Sequence, residues 1–255
     1  MKNIALILIV LIPVLAFAQK GEVQTKMYRW KKPDTKVKEN LYSTLLFEGS
    51  TYDMEYLNMS ANALLQSTRK IALQVPNNEE HLLIIKKGTL DFVLKDSSWS
   101  LAGASIALLM PGEKYSIQTR NDSCTYYVMK YRSKSPVDLV RAKTSGASLI
   151  KDWNKTTFKP TVRGGGRSYF ERPTAMCKRF EMHVTTLKEG LRSHDPHAHR
   201  AEEIVLVIDN QTQMEMGNES YRGGAGDIYY IGSNITHGIR NDSKGLCSYF
   251  AFQFE

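Results

Sequence analysis

Residues 190–203 read Gly190-Leu191-Arg192-Ser193-His194-Asp195-Pro196-His197-Ala198-His199-Arg200-Ala201-Glu202-Glu203, and His237 follows beyond an apolar and glycine-rich run. On an extended chain side chains two apart share a face, so His197 and His199 converge and Glu203 keeps their parity, whereas Glu202 does not. Three inward polar groups of this kind would destabilise a barrel core unless something satisfied them, and a divalent cation does so. Imidazole nitrogen with carboxylate oxygen suits Mn, Fe, Ni, Cu, Co or Zn better than Ca or Mg, which prefer all-oxygen shells. The plainer reading leaves His194, His197 and His199 in a polar loop with Glu203 solvated and His237 unrelated. Four ligand types at matching spacing favour the metal. His194 falls outside the pattern and reads as an exposed residue or a neighbour of the ligands.

The spacing Gly190-x6-His197-x-His199-x3-Glu203 resembles the first signature motif of the cupins, and Gly226-x5-Gly232-x-Asn234-x2-His237-x3-Asn241 resembles the second. Departures from the family pattern, one extra residue after Gly190 and Gly232 and Asn234 in place of Pro and Gly, fall on turns rather than on ligands. The resemblance implies an all-β fold with His197, His199, Glu203 and His237 as metal ligands inside a jelly-roll barrel.

An internal repeat doubles that barrel. Glu79-Glu80-His81-Leu82-Leu83-Ile84-Ile85 matches Glu202-Glu203-Ile204-Val205-Leu206-Val207-Ile208 at an offset of about 123 positions, as do Thr89 with Thr212, Gly103 with Gly226, Cys124 with Cys247 and Tyr126 with Tyr249. Two tandem cupin domains are expected, a degenerate one over 19–150 and a metal-binding one over 151–255. On this alignment the first copy has Gln74 and Pro76 for the two histidines, keeps Glu80 where Glu203 stands, and has Lys114 or Ile117 for His237. It is expected to be metal-free and to serve packing, assembly or access. His81 reads as an ordinary surface or hydrogen-bonded histidine.

Residues 1–18 combine Lys2, the apolar run Ile4 to Leu15 and Ala16-Phe17-Ala18, the pattern of a secretory signal peptide cleaved after Ala18. The apolar run is short for a membrane span, and no cysteine stands at the cleavage site, so no stable membrane anchor is expected and the protein is placed in the periplasm or outside the cell. Cys124, Cys177 and Cys247 form no Cys-x-x-Cys pair, which excludes a disulfide framework and makes buried free thiols the default. The net charge of +8 is concentrated in part at Lys26, Arg29, Lys31, Lys32, Lys36 and Lys38, with Tyr28 and Trp30 interleaved. This arm is read as packing its aromatics on a neighbouring domain or subunit rather than binding nucleic acid, for which no motif exists.

Short β-branched and aromatic runs at 90–94, 106–110, 125–131, 180–187, 204–208, 213–216, 228–231 and 249–254 read as strands. Phe250, Phe252 and Phe254 form one aromatic core face. In Phe180-Glu181-Met182-His183-Val184 the apolar face is the better candidate for pocket wall, with Glu181 and His183 as the alternative. The stretch from Ser133 to Arg172 reads as a long polar connection with a short helix after Ser135-Pro136 and a flexible linker or loop at Gly164-Gly165-Gly166. No Gly-Lys-Ser/Thr follows those glycines, which excludes a phosphate loop. Arg163, Arg167 and Arg172 read as solvent-facing rather than as a clamp on a substrate carboxylate.

Four protein ligands on an octahedral metal leave two neighbouring positions, which supports Lewis-acid or oxygen chemistry. The expected function is therefore a metal-dependent dioxygenase, decarboxylase, isomerase or aminohydrolase acting on a small oxygen-rich molecule. The competing class is a secreted protein that binds a small ligand or carbohydrate with a structural metal, and a homo-oligomer is left open. The tandem arrangement is similar to ureidoglycine aminohydrolase, a manganese enzyme whose ligand set of Glu, two His and Gln differs from the one here. The ligand set resembles germins, oxalate decarboxylases and quercetin dioxygenases more closely, and fold alone does not choose among their reactions.

Overall fold

A computed structural model describes residues 21–120 and 122–255; the expected signal peptide lies outside the described residues. Two seven-stranded antiparallel sheets dominate. The first runs, in spatial order, Leu149–Lys151, Ile106–Leu109, Glu80–Lys87, Cys124–Ser133, Met54–Leu64, Leu41–Gly49 and Thr35–Lys38. The second runs Lys26–Tyr28, Ile228–Ile231, Glu202–Asp209, Cys247–Phe254, Phe180–Leu187, Gly164–Arg172 and Lys159–Thr161. A smaller sheet closes each barrel: Ile71–Gln74, Lys114–Gln118, Leu90–Leu94 and Ser97–Leu101 on the first, Glu219–Gly223, Thr212–Met216 and His237–Asn241 on the second. The architecture is all-β with two tandem jelly rolls.

Edge strands tie the two halves together, and Leu149–Lys151 straddles the expected boundary at 150. Lys26–Tyr28, early in the chain, pairs with Ile228–Ile231 of the second barrel, while Leu149–Lys151 pairs with Ile106–Leu109 of the first. The basic arm follows from this: Tyr28 meets Phe47 in a tilted ring contact at 4.4 Å, Trp30 lies edge-on to Tyr127 at 5.1 Å, and the Trp30 amide donates to Asp227 Oδ1 at 2.8 Å. Its aromatics cover the seam between the barrels and its charges stay outside.

Three cores result from strand alternation. Each large sheet turns one face into its own barrel and the other toward the partner barrel, so its central strands are buried on both sides and read as continuous apolar runs. Val205, Val207, Tyr249 and Ala251 fill the second barrel, and Leu83, Ile85, Phe92 and Ile117 fill the first. The alternate residues Ile204, Leu206, Phe250, Phe252, Phe254, Phe180 and Met182 pack against Leu57, Met59, Tyr127, Met129 and Tyr131 of the other half. This inter-barrel core holds 32 buried residues against 16 and 11 in the barrel interiors, so the contact between the halves is the main hydrophobic body of the fold.

Two sequence expectations change here. Gly164–Gly166 open the strand Gly164–Arg172 rather than a flexible linker. A Cβ on Gly166 would sit 2.8 Å from the Val184 carbonyl and one on Gly165 2.6 Å from the Lys159 carbonyl, so glycine is required by close backbone approach in a sheet. Phe180 and Met182 face the inter-barrel core, which leaves Glu181 and His183 on the barrel-interior face, the reverse of the favoured assignment. The short helix does form, at Leu139–Thr144, capped by Asp138. The three cysteines are free and buried. Among the described residues no helix is long and apolar enough to cross a membrane.

Candidate metal centre

Glu202–Asp209 and His237–Asn241, from the large and small sheets of the second barrel, bring Glu203 and His237 to one end of the barrel interior. The segment carrying His197 and His199 is not the continuous strand expected from parity. Residues 198–201 are loop, and the convergence comes from a bridge in which the His197 amide donates to the His237 carbonyl at 3.1 Å and the His237 amide returns the bond at 2.9 Å. The Asn234 amide then donates to the His199 carbonyl at 2.8 Å, turning the second imidazole inward. The backbone here is loop, and the side chains of His197 and His199 nevertheless converge on His237.

The imidazole nitrogens of His197, His199 and His237 lie within 4.8 Å of one another, the grouping among the described residues that could hold a metal ion. Glu203 Oε2 is 3.1 Å from His199 Nε2 and 3.2 Å from His237 Nε2. His199 Nδ1 contacts the Ala201 carbonyl and His237 Nδ1 the Ile235 carbonyl, both at 2.8 Å. A carbonyl only accepts, so each Nδ1 carries a proton, and each Nε2 faces the carboxylate with a lone pair in the neutral ring or with a second N–H in the imidazolium. Lone pairs facing a carboxylate at such distances repel unless a proton or a cation sits among them. A nitrogen-and-oxygen donor set fixed in this tautomer by backbone carbonyls fits a divalent transition metal.

The contacts that a proton or a cation would satisfy also set the electrostatics of the cluster. Burial alone would raise the Glu203 carboxyl, but bonds and charge from His199 and His237 outweigh it and bring the group down to about 2. His199 is raised, chiefly by its hydrogen bond to Glu203, and His197 is lowered by desolvation and by the neighbouring imidazoles. His237 and Glu203 are buried, His199 is partly open and His197 is exposed, so the cluster opens to solvent on the His197 side. His194 is exposed, its ring edge-on to His197 at 4.3 Å, beside the cluster.

One participant was not anticipated. Gln253 stands opposite Glu203 in the ladder, with its Nε2 3.2 Å from both Glu203 Oε2 and His199 Nε2. Its Oε1 accepts from Arg179 Nη1 at 3.3 Å, and Arg179 is itself ion-paired to Glu171 and Glu181. Gln253 is the polar member of the alternation Tyr249, Ala251, Gln253, the register that faces the barrel interior, and that break was the available signal. Glu181 lies in the same row beyond Gln253, and His183 contacts Glu181 at 3.1 Å. The arginines of the glycine stretch are absorbed elsewhere. Arg163 bonds the Ser193 carbonyl, Arg172 the Ser145 and Ala147 carbonyls, and Arg167 the Thr156 carbonyl beneath Trp153.

The first barrel corrects the sequence alignment. Glu80 pairs with Tyr131 as Glu202 does with Phe254, and His81 pairs with Leu109 as Glu203 does with Ile231, so Glu80 corresponds to Glu202 and His81 to Glu203. Tyr115, opposite Leu94, takes the place of His237, opposite Met216. Tyr115 pairs with Leu73 where His237 bridges His197. Leu73 and Tyr115 belong to the first barrel's apolar core and offer no imidazole. From Glu80 to Tyr115 the register sets an offset of 122 positions rather than 123, and the segment from Leu73 to Glu80 is longer than that from His197 to Glu202, which is why a single offset of 123 misplaced these residues. His81 is buried, with Nε2 3.1 Å from Glu79 Oε2.

Residues 183–252 match the family model described as a cupin domain. No curated protein matches the sequence. Among solved structures, AerE from Microcystis aeruginosa is 14% identical with a TM-score of 0.66, covering 90% of this chain and 99% of its own. The protein Ylba from E. coli is 12% identical with a TM-score of 0.67, covering 94% and 96%. An oxalate decarboxylase formate complex from Lactobacillus farciminis is 12% identical with a TM-score of 0.64, covering 91% and 87%. At these identities the likeness is one of fold.

Proposed function

We propose that the chain is a two-barrel cupin whose second barrel binds one divalent transition metal through His197, His199, Glu203 and His237 and is a metal-dependent enzyme acting on a small oxygen-rich molecule. The observation that carries this reading is the convergence of His199 Nε2 and His237 Nε2 on Glu203 Oε2, with both Nδ1 atoms bonded to backbone carbonyls. A bound metal would supply Lewis acidity toward an oxygen ligand or a bound water. Mn, Fe, Ni, Cu, Co and Zn all suit the donor set.

The chain's own residues have separate tasks. Ala201 and Ile235 carbonyls hold the two rings, while Gln253, steadied by Arg179, holds the Glu203 carboxylate from the side. Exposure of His197 supports access for a small molecule from the barrel mouth. Glu181 and His183, on the interior face and partly exposed, are the titratable pair best placed to move a proton near such a ligand. The signal-like residues 1–18 support export to the periplasm or beyond as part of the same proposal. A panel of oxalate, flavonol, keto-enol and ureido compounds, assayed for oxygen uptake and product release with metal-loaded and chelated protein, tests it. Turnover that disappears on chelation is expected. Tight ligand binding without turnover across the panel would move the protein to the binding class.

A further inference from the structure

Residues 199–203 carry two of the four proposed ligands, and the first half of the chain grips the residues between them. Glu202, fully buried, accepts hydrogen bonds from Thr51 Oγ1 at 2.7 Å and from the amides of Tyr52 and Asp53 at 3.1 Å each, as well as from the Tyr230 hydroxyl. Arg200 makes a two-pronged ion pair with Asp53, both contacts at 2.7 Å, and lies over the Tyr52 ring at 5.0 Å. Ala201 lies between these anchors, and its carbonyl is the acceptor that sets the His199 tautomer.

We propose that the turn Thr51–Asp53, although it belongs to the barrel without ligands, is a positioning element for the metal centre. It pins residues 200 and 202 and so fixes His199, the Ala201 carbonyl and Glu203 relative to one another. The inference rests on the metal-binding reading above. It also gives the ligand-free barrel a role in the site, because preorganised ligands bind metal more tightly than ligands that must be ordered on binding.

The fold contains its own control. Glu80, equally buried, is gripped in the same way by the turn after Gly164–Arg172: Thr174 Oγ1 donates at 2.8 Å, the Ala175 amide at 2.6 Å and the Met176 amide at 3.2 Å. The two clasps use the same chemistry, since Thr51 Oγ1 also accepts from the Met54 amide as Thr174 Oγ1 does from the Cys177 amide. Only the first clasp adjoins ligands. The residue after Glu80 is His81, in a barrel where Leu73 and Tyr115 stand for the other histidines.

The test is Zn²⁺ affinity, by competition with a chromogenic chelator, and melting temperature for the full chain and for Thr51→Val, Thr174→Val, Asp53→Asn and Thr51→Ser. Both valine variants are expected to melt lower. Thr51→Val and Asp53→Asn should bind Zn²⁺ about 10-fold more weakly, Thr174→Val within about twofold of the parent, and Thr51→Ser should restore affinity. Asp53→Asn keeps the hydrogen bonds to Glu202 and guards against a Thr51→Val variant that fails to fold. Parental affinity in both Thr51→Val and Asp53→Asn, or an equal loss in Thr174→Val, overturns the proposal while leaving the metal reading intact. A parent that binds no Zn²⁺ overturns both.

Discussion

Phe180→Ala tests whether the two barrels share one core. Phe180 is fully buried on the second barrel's sheet, and its ring meets Tyr131 of the first barrel edge-on at 5.9 Å, Phe170 at 5.2 Å and Phe254 at 6.1 Å. Truncating a core phenylalanine costs roughly 3–5 kcal/mol, and edge-to-face pairs contribute about 0.5–1.5 kcal/mol each beyond area, which places this site at the upper end, about 5 kcal/mol. For a chain of this length that is a fall in melting temperature of roughly 10–20 °C. Calorimetry gives the total. A Trp30→Phe, Trp153→Phe background leaves Trp99, which packs against the first barrel's interior beside Phe92 at 6.2 Å, as a reporter of that barrel. The Trp99 transition should fall with the calorimetric one, because the mutated face is common to both halves. A loss below about 1 kcal/mol, or a Trp99 transition that stays at its parental temperature, would refute a shared core.

Gln253→Leu removes the amide that holds Glu203 and is expected to weaken Zn²⁺ binding by about 10- to 100-fold at nearly unchanged melting temperature; parental affinity would remove Gln253 from the site. Acid should destabilise the first barrel through His81. Burial lowers this imidazole below its ordinary value, against the opposing pull of Glu79, so the folded state prefers the neutral ring. The associated stability is present above about pH 6.5 and is lost as pH falls below that value, with a limiting slope of about 1.4 kcal/mol per pH unit. Glu79, lowered mainly by its bond to His81, adds a further loss below its ordinary range. Urea titrations from pH 7 to 5 should show a shallower decline for His81→Gln, and identical slopes would contradict this account.

Fold class and the residues of the candidate centre were legible because both depend on local pattern. Alternation in Phe180–Leu187 and Cys247–Phe254 marks strands, and four chemically distinctive residues at fixed spacing mark a site. What alternation does not state is which face meets which core. Phe180 and Met182 looked like pocket walls because a lone barrel has one apolar interior, whereas two packed barrels have an apolar outside as well. Gln253 shows in the sequence only as a polar break in an apolar alternation, because ladder register is what sets it opposite Glu203, and the Thr51–Asp53 turn was invisible because it reaches the site through contacts about 150 positions away in sequence. The glycines at 164–166 misled because the crowding that selects them comes from Val184 and Lys159, on neighbouring strands.

Metal content tests the central claim most directly. Purified chain, reconstituted with a mixture of divalent transition metals and dialysed, is predicted to hold about one equivalent by elemental analysis, and His237→Ala, which removes a buried Nε2 from the cluster, is predicted to hold none at unchanged circular dichroism. Full occupancy in the variant, or an empty parent, would contradict it.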